Sequence, residues 1–139
     1  MDAWLFWALL SALFAALTAI FAKVGVSEVH PDVATFVRTF VVLAAVAIIL
    51  FTTQQIQSLR TISGRAWLFL VLSGLATGAS WLCYFRALQL GEAARVAPID
   101  KLSVVLVALL GVAILGEELS PLHWLGVGLI AVGAALVAI

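Results

Sequence analysis

Long apolar runs separated by short polar segments dominate this sequence. Five of these runs are close to the length of about 20 residues that an α-helix needs to cross roughly 30 Å of hydrocarbon. They are about Ala3–Ala22, Val33–Phe51, Ala66–Leu88, Val96–Leu115 and Pro121–Ile139. A strand of a membrane barrel would alternate apolar and polar residues over about ten positions, whereas these runs are uniformly apolar. The pattern therefore predicts five membrane-spanning helices.

The segments between the runs carry residues that are typical of turns and helix starts. A His-Pro-Asp sequence at 30–32 ends the first segment, and the longest segment, 52–65, is rich in Gln and Ser. Ser120 suits the N-cap of the last helix, because Pro121 then occupies its first turn. Tryptophan favours the headgroup layer, and four tryptophans lie near the ends of the runs: Trp4, Trp7, Trp67 and Trp124.

Composition makes a membrane the necessary solvent. Of the 139 residues, 65% are hydrophobic and 10% are charged, whereas a soluble domain carries about 25% charged residues. A chain this small could not hide so much apolar surface in its own core. The net charge is zero and no basic run occurs, so nucleic acid is not an expected partner. We predict one all-α membrane domain over residues 1–139, with the lipid bilayer as its partner.

Charged side chains within the spans are the first candidates for chemistry, because such charges are costly and usually face a cavity or another helix. Successive spans cross in opposite directions, so the ends of spans one and three share a membrane face with the starts of spans two and four. That face, opposite the N-terminus, is where a shared polar vestibule is predicted. Its five charged residues are Lys23, Arg38, Arg86, Asp100 and Lys101.

These five charges differ in depth. Lys23 and Arg86 lie near helix ends, so snorkelling to the interface is the favoured interpretation of both. Arg38 and the pair Asp100 and Lys101 lie deeper, where a functional and a structural role are equally open. Neighbouring residues on a helix do not face each other, so Asp100 is expected to pair with a base on another helix, with Arg38 as the first choice.

Uncharged polar and aromatic residues recur at helical spacing on two spans. Trp7, Ser11 and Thr18 form such a stripe on the first span. Thr77, Trp81 and Tyr84 form one on the third. A stripe of this kind can line a solute path, and it can equally make hydrogen bonds between helices.

The fifth span has no polar side chain between Trp124 and Ile139, and it carries Gly126, Gly128 and Gly133. Small residues let helices approach closely, so this span is interpreted as a packing or assembly surface. The sequence contains no Gly-rich phosphate loop and no signature of a hydrolase. We therefore predict that the protein is not an enzyme and uses no cofactor and no metal.

The stretch from Tyr84 to Ile139 resembles the C-terminal part of an EamA-type domain of the drug/metabolite transporter superfamily. The segment 97–103 looks like the bacterial and archaeal branch of that family. The matching pieces are Tyr84 with Ala87-Leu88, Val96-Ala97-Pro98, Leu102, Gly116-Glu117-x-Leu119 and Gly126-x-x-Leu129-Ile130-x-x-Gly133.

This resemblance implies half of an inverted-repeat transporter. Members usually carry two five-helix units, and an odd unit repeated in tandem takes opposite orientations. A single unit therefore implies an antiparallel homodimer, or a second five-helix chain, in the plasma (inner) membrane of a bacterium or archaeon. Such a dimer would export or exchange small metabolites or drugs by alternating access, with proton coupling through Asp100. Two alternatives stay open: a subunit of a lipid-linked sugar flippase, and a membrane assembly partner that transports nothing.

Basic residues in the loops and at the span ends say little about orientation. Arg60 and Arg65 lie on the N-terminal face, and Lys23, Arg86 and Arg95 lie on the other. A tally of two against three sets a weak bias, which fits a dual-topology chain and also a single orientation. The residues predicted to line the solute path or to couple transport are Trp7, Ser11, Thr18, Lys23, Arg38, Thr77, Trp81, Tyr84, Arg86, Asp100, Lys101 and Ser103.

Overall fold

A computed structural model describes residues 3–139, which are almost entirely helical and contain no strand. The first three α-helices are α1 (Ala3–Val26), α2 (Pro31–Thr52) and α3 (Gly64–Leu90), with a 3-10 helix (Gln55–Thr61) between α2 and α3. The next are α4 (Ala93–Asp100) and α5 (Ser103–Leu110), the latter followed by a π-helical turn (Gly111–Leu115), and α6 (Pro121–Ala138) completes the order. Residues 1 and 2 of the predicted domain lie outside the described residues.

The prediction of five membrane-spanning helices in an all-α protein is confirmed. Within residues 3–139, five segments are long and apolar enough to cross a membrane, when α4, α5 and the π-helical turn are counted as the single segment Ala93–Leu115. The first three helices begin or end a few residues beyond the apolar runs. Polar residues at a run's edge therefore continue the helix toward the headgroup layer.

Local hydrogen bonds explain where two of the helices start. Ser120 is the N-cap of α6, as predicted: its Oγ accepts a hydrogen bond from the His123 main-chain N–H at 3.4 Å. The Ser120 N–H in turn donates to Nδ1 of His123 at 3.3 Å, which completes a reciprocal capping box. At the start of α2, the His30 Nδ1 accepts from the Asp32 N–H at 3.3 Å. The Nδ1 atom of each histidine thus accepts a hydrogen bond from a main-chain N–H at the start of a helix.

The fourth span begins at Ala93, three residues before the predicted start, and is not one regular helix. Pro98 has no N–H to donate and its ring crowds the preceding turn, which weakens an α-helix. Just beyond it three-residue hydrogen bonds appear. The Lys101 N–H is shared between the Ala97 carbonyl at 3.3 Å and the Pro98 carbonyl at 3.1 Å, and the Leu102 N–H donates to the Ile99 carbonyl at 2.9 Å. The helix is therefore interrupted at residues 101–102, between α4 and α5.

The fourth span ends in a widened turn. The main-chain N–H groups of Gly116 and Glu117 both donate to the Gly111 carbonyl, the latter at 3.1 Å. Gly116 has a φ of 69°, in the left-handed region that glycine enters without steric cost. The span therefore stops at a glycine C-cap before the polar segment that leads to α6.

The described chain divides into two compact units. The α2–α3 unit comprises Phe21–Gln89, and the α4–α6 unit comprises the described residues up to Ile20 together with Leu90–Ile139. The single domain predicted for residues 1–139 stays a prediction. Each unit has a small buried core, and most large apolar side chains are exposed. Such exposure suits a chain whose solvent is lipid, because lipid tails are as apolar as the side chains themselves.

In the α2–α3 unit the core lies where three helix ends meet. Val26 and Leu88 are fully buried and Phe85 is 3% exposed. In the α4–α6 unit the buried residues are smaller, and include Gly111 and Ala134. There α6 packs against both α4 and α5. The predicted packing role of the fifth span is consistent with these contacts.

Candidate functional site

Several charged and aromatic side chains of the α2–α3 unit lie toward the end of the helices where its core lies. Five of the predicted path residues belong to this unit's polar end: Lys23, Arg38, Trp81, Tyr84 and Arg86. Their contacts separate them into two groups. Arg38, Trp81 and Tyr84 form an aromatic-lined cationic site, which we call the Arg38 site, whereas Lys23 and Arg86 tie helix ends together.

Arg38 lies over aromatic rings of α3. Its guanidinium carbon Cζ is 4.1 Å from the ring centroid of Trp81 and 5.5 Å from that of Phe85. Trp81 and Phe85 are four residues apart on α3 and so share one face of the helix. A cation over an aromatic face is attracted by the ring quadrupole, by about 0.5–1 kcal/mol when exposed and about 2 kcal/mol or more when desolvated.

The depth of Arg38 follows from its place in α2. Seven residues separate it from Pro31, the first residue of the helix, which corresponds to about 10 Å along the helix axis. Arg38 and Tyr84 are both half-buried. The Arg38 site is therefore a partly enclosed cationic group inside the span, bounded by the rings of Trp81 and Phe85.

Lys23 joins the end of α1 to the end of α3. Its Nζ donates a hydrogen bond to the main-chain carbonyl of Leu88 at 2.6 Å. Leu88 lies in the last turn of α3, where carbonyls have no partner within the helix and a positive charge is stabilising. Lys23 thus caps α3 through an ammonium group.

An ion pair joins the start of α2 to the end of α3. Arg86 Nη2 lies 3.4 Å from Asp32 Oδ1, and the two side chains are 60% and 53% exposed. The Nδ1 of His30 lies 3.7 Å from the other Asp32 oxygen, Oδ2. An exposed ion pair of this kind contributes about 0–1 kcal/mol. Its contribution is therefore chiefly to orient the two helix ends.

Two further residues of this unit contact the candidate site residues, and the sequence pattern does not single them out. The pattern marks Asp32 only as part of a turn, although an acid in the first turn of α2 is placed to meet a base from another helix. Phe85 is one apolar residue among many in its run. Its position four residues after Trp81 was the available signal.

The hydroxyl of Thr77 has a partner in its own helix, since Thr77 Oγ1 donates to the Ser73 carbonyl at 2.8 Å. Both possibilities left open for its stripe, a solute path and a bond between helices, stay predictions. On the first span, Trp7 is 65% exposed and packs edge-on against Phe6 with centroids 5.5 Å apart. Ser11 is exposed and Thr18 is half-buried.

In the α4–α6 unit the in-span charges meet each other. Lys101 Nζ lies 3.4 Å from Asp100 Oδ2. The expectation that these neighbours would not face each other is wrong, because α4 ends at Asp100 and the flexible lysine side chain folds back over the interruption. Ser103 opens α5 just beyond it. The predicted pairing of Asp100 with Arg38, and a vestibule shared by all five charges, stay predictions.

Comparison with known proteins identifies the family. The EamA-like transporter family matches residues 2–139. This chain belongs to that family. It is also 63% identical over 138 residues to a Sinorhizobium sp. protein named "Uncharacterized transporter in cobO 3'region", with 99% of this chain and 98% of that protein covered. No solved structure matches the chain.

Membership in the EamA-like family, together with five candidate spans, makes the chain a multi-pass membrane protein with a transporter role. The family resemblance predicted from residues 84–139 is confirmed, and the match extends it to the first three helices. The alignment covers 98% of the Sinorhizobium relative, so one such unit accounts for nearly the whole of that protein.

Proposed function

We propose that this EamA-family chain is one half of a secondary transporter, which works as an antiparallel homodimer in the plasma membrane and exports or exchanges small metabolites or drugs by alternating access. The observation that carries the proposal is the odd number of spans in a transporter-family unit. Inverted repeats place two such units in opposite orientations around a site at their interface. A second copy of the chain would supply the inverted unit.

Three further observations support this arrangement. The relative that is itself one unit is also named a transporter. The weak difference in basic residues between the two faces fits a chain that inserts in both orientations. Glycines Gly74 and Gly78 of α3 have no atom within 4 Å of an added Cβ among the described residues of their own unit. Another helix can approach closely over them.

Asp100 is the proposed coupling residue. It is a half-buried carboxylate at the C-terminal end of α4, where the span is interrupted. Interrupted helices in transporters place unpaired carbonyls and a negative helix end beside the coupling cation. Lys101 holds the carboxylate at 3.4 Å. A proton could replace this contact, so that binding a proton would release Lys101.

Flux measurements test the transport proposal. Purified protein is reconstituted into liposomes, and a pH gradient is applied with radiolabelled benzoate, radiolabelled leucine or ethidium as anionic, zwitterionic and cationic probes. We expect protein-dependent, gradient-driven movement of at least one probe. In Asp100→Asn the pH dependence is lost, whereas Glu118→Gln, an exposed carboxylate outside the spans, behaves like the unmodified protein. Unchanged pH dependence in Asp100→Asn would rule out coupling through this residue.

Orientation tests the homodimer separately. Alkaline phosphatase and green fluorescent protein are each fused to the C-terminus of the full chain, since one is active outside the cytoplasm and the other fluoresces inside it. Signals from both fusions are expected for a dual-topology chain. If all copies insert in one orientation, the antiparallel homodimer is ruled out, and a second five-helix chain becomes the expected partner.

A further inference from the structure

The charges of the α2–α3 unit leave one in-span cation without a protein counter-ion. Residues 21–89 contain five Lys and Arg side chains and two Asp and Glu side chains, a net charge of +3. Of the two carboxylates, Asp32 is engaged by Arg86. Within residues 21–89 no carboxylate oxygen lies within 4.0 Å of the Arg38 guanidinium.

The hydrogen-bond donors of Arg38 are also unused within this unit. The ring contacts of its guanidinium there are with Trp81 and Phe85. None of its nitrogens makes a hydrogen bond to residues 21–89, and none of them is buried. A guanidinium presents five N–H donors in a planar fork and no acceptor.

The aromatic contact holds Arg38 in place. Its Cζ lies over the Trp81 ring, 4.1 Å from the centroid, where the ring quadrupole attracts the cation. The N–H bonds of a guanidinium extend from the edge of its plane, and the ring supplies no acceptor oxygen for them. An orientation held in advance lowers the entropy cost of binding a ligand.

The ligand that matches this edge is an oxyanion. A carboxylate or phosphate accepts two parallel N–H···O bonds from a guanidinium, and such charge-assisted bonds are roughly twice as strong as neutral ones. The position inside the span strengthens the attraction, because screening by water is weak there. On the membrane face of Arg38, the bases of the unit outnumber its acids by one, which favours the same class of ligand.

We propose that the edge of Arg38, held over Trp81, binds the carboxylate or phosphate group of the transported molecule, so that the substrate is an organic anion. This proposal rests on the proposed transport function and names the substrate class of that site. The same chemistry is offered by soluble anions and by the phosphate of an anionic lipid headgroup. The experiment therefore separates these two sources.

Binding is measured first, by thermal unfolding and tryptophan fluorescence of the purified full chain. In a detergent without anionic lipid, the soluble probes are benzoate and phenyl phosphate, with benzamide and benzylamine as neutral and cationic counterparts of similar shape. In nanodiscs, phosphatidylglycerol is compared with phosphatidylcholine. We expect the anions, and neither benzamide nor benzylamine, to raise the unfolding temperature and to change the fluorescence of Trp81.

Variants of Arg38 decide the assignment. Arg38→Gln should abolish stabilisation by the anionic probes, and Arg38→Lys, which keeps the charge but not the planar fork, should weaken binding by about tenfold. Arg60→Gln removes an exposed arginine of the 3-10 helix and serves as the matched control. If Arg38→Gln does not fold, the comparison of Arg38→Lys with the unmodified chain still tests whether the planar guanidinium binds the anion.

The outcomes separate the proposals. Stabilisation by benzoate or phenyl phosphate that depends on Arg38 supports a soluble organic anion, and stabilisation by phosphatidylglycerol alone supports a lipid oxyanion. Anion binding that persists in Arg38→Gln overturns the inference, and so does absence of binding in both arms, which is expected if a carboxylate from a second chain neutralises Arg38. Flux of leucine or ethidium without flux of benzoate would overturn the substrate class and leave transport intact. Anion binding without flux of any probe would overturn the proposed transport function, and anion binding at the Arg38 site would still hold.

Discussion

The two units treat an in-span charge in different ways. In the α2–α3 unit, Arg38 lies 4.1 Å from the centroid of Trp81, and no carboxylate oxygen of that unit lies within 4.0 Å of its guanidinium. In the α4–α6 unit, Asp100 lies 3.4 Å from the ammonium group of its neighbour Lys101. Aromatic stacking stabilises a cation without neutralising it, whereas an ion pair neutralises both members. The first arrangement keeps a charge available for a ligand, and the second keeps it available only when the pair opens.

This difference agrees with a division of tasks between substrate and coupling ion. A transporter needs a site that binds solute directly and a group whose protonation changes the energy of a conformation. The Arg38 site suits the first task, and Asp100 at an interrupted helix suits the second. Four predictions test the comparison, in order of decreasing expected effect.

Charge reversal at the Arg38 site should have the largest effect. In Arg38→Glu the donors are replaced by a carboxylate that repels an anionic solute, so we expect uptake of benzoate to fall by about 100-fold, equivalent to about 3 kcal/mol. Initial uptake rates in liposomes measure the effect, with Arg60→Glu as the charge-matched control. Uptake within twofold of the unmodified protein would remove Arg38 from the solute path.

Restoring the helix at the interruption should have the next largest effect. Pro98→Ala supplies the missing N–H and removes the clash of the proline ring, and proline costs about 3 kcal/mol relative to alanine inside a helix. We expect a higher unfolding temperature by circular dichroism together with weaker pH dependence of flux. Pro121→Ala is the control, since proline in the first turn of α6 breaks no helical hydrogen bond. A lower unfolding temperature in Pro98→Ala than in Pro121→Ala would contradict the claim that Pro98 destabilises the helix at the interruption.

The aromatic contact should give a smaller but measurable coupling energy. A double-mutant cycle with Arg38→Met and Trp81→Leu should yield about 1 kcal/mol, because the contact is partly desolvated. Stability is measured by denaturant titration in mild detergent. The parallel cycle with Leu82, whose side chain is exposed on α3, should yield no coupling. Equal coupling in both cycles would mean that Arg38 does not rest on Trp81 specifically.

The ion pair of neighbouring residues should contribute least. A cycle with Asp100→Asn and Lys101→Met should yield about 0.5 kcal/mol or less, because half-exposed pairs of flexible side chains gain little. The same titrations measure it, so the two cycles can be compared directly. A coupling energy above that of Arg38 with Trp81 would reverse the comparison between the units.

Much of the fold was predictable because it depends on length and apolarity alone. Each run near 20 residues must form a helix to satisfy its backbone in lipid, whatever its neighbours are. The N-cap Ser120 was predictable for a similar reason, since capping involves residues within one turn. The capping role of His123 was not foreseen, because imidazole at that position is a rarer acceptor than the carboxylate or amide of the usual capping box.

The candidate site was only partly predictable. Helical periodicity places Trp81 and Tyr84 on one stripe, and depth within the span singles out Arg38. Neither signal predicts that Arg38 of α2 contacts Trp81 of α3. The interruption after Pro98 had a signal in the proline itself. Hydropathy alone does not predict the interruption, because an interrupted span and a regular one have the same apolar composition.

The sequence alone determined the solvent of this protein, the number of its spans and its family, because apolar runs and local motifs are properties of contiguous residues. The tertiary structure decided which partner each charged side chain contacts. Arg86 pairs with Asp32, Lys23 donates to the Leu88 carbonyl, and Arg38 lies over Trp81. These pairings depend on the rotation of each helix about its axis and on its depth. A uniformly apolar run constrains neither, since lipid accepts any of its faces equally.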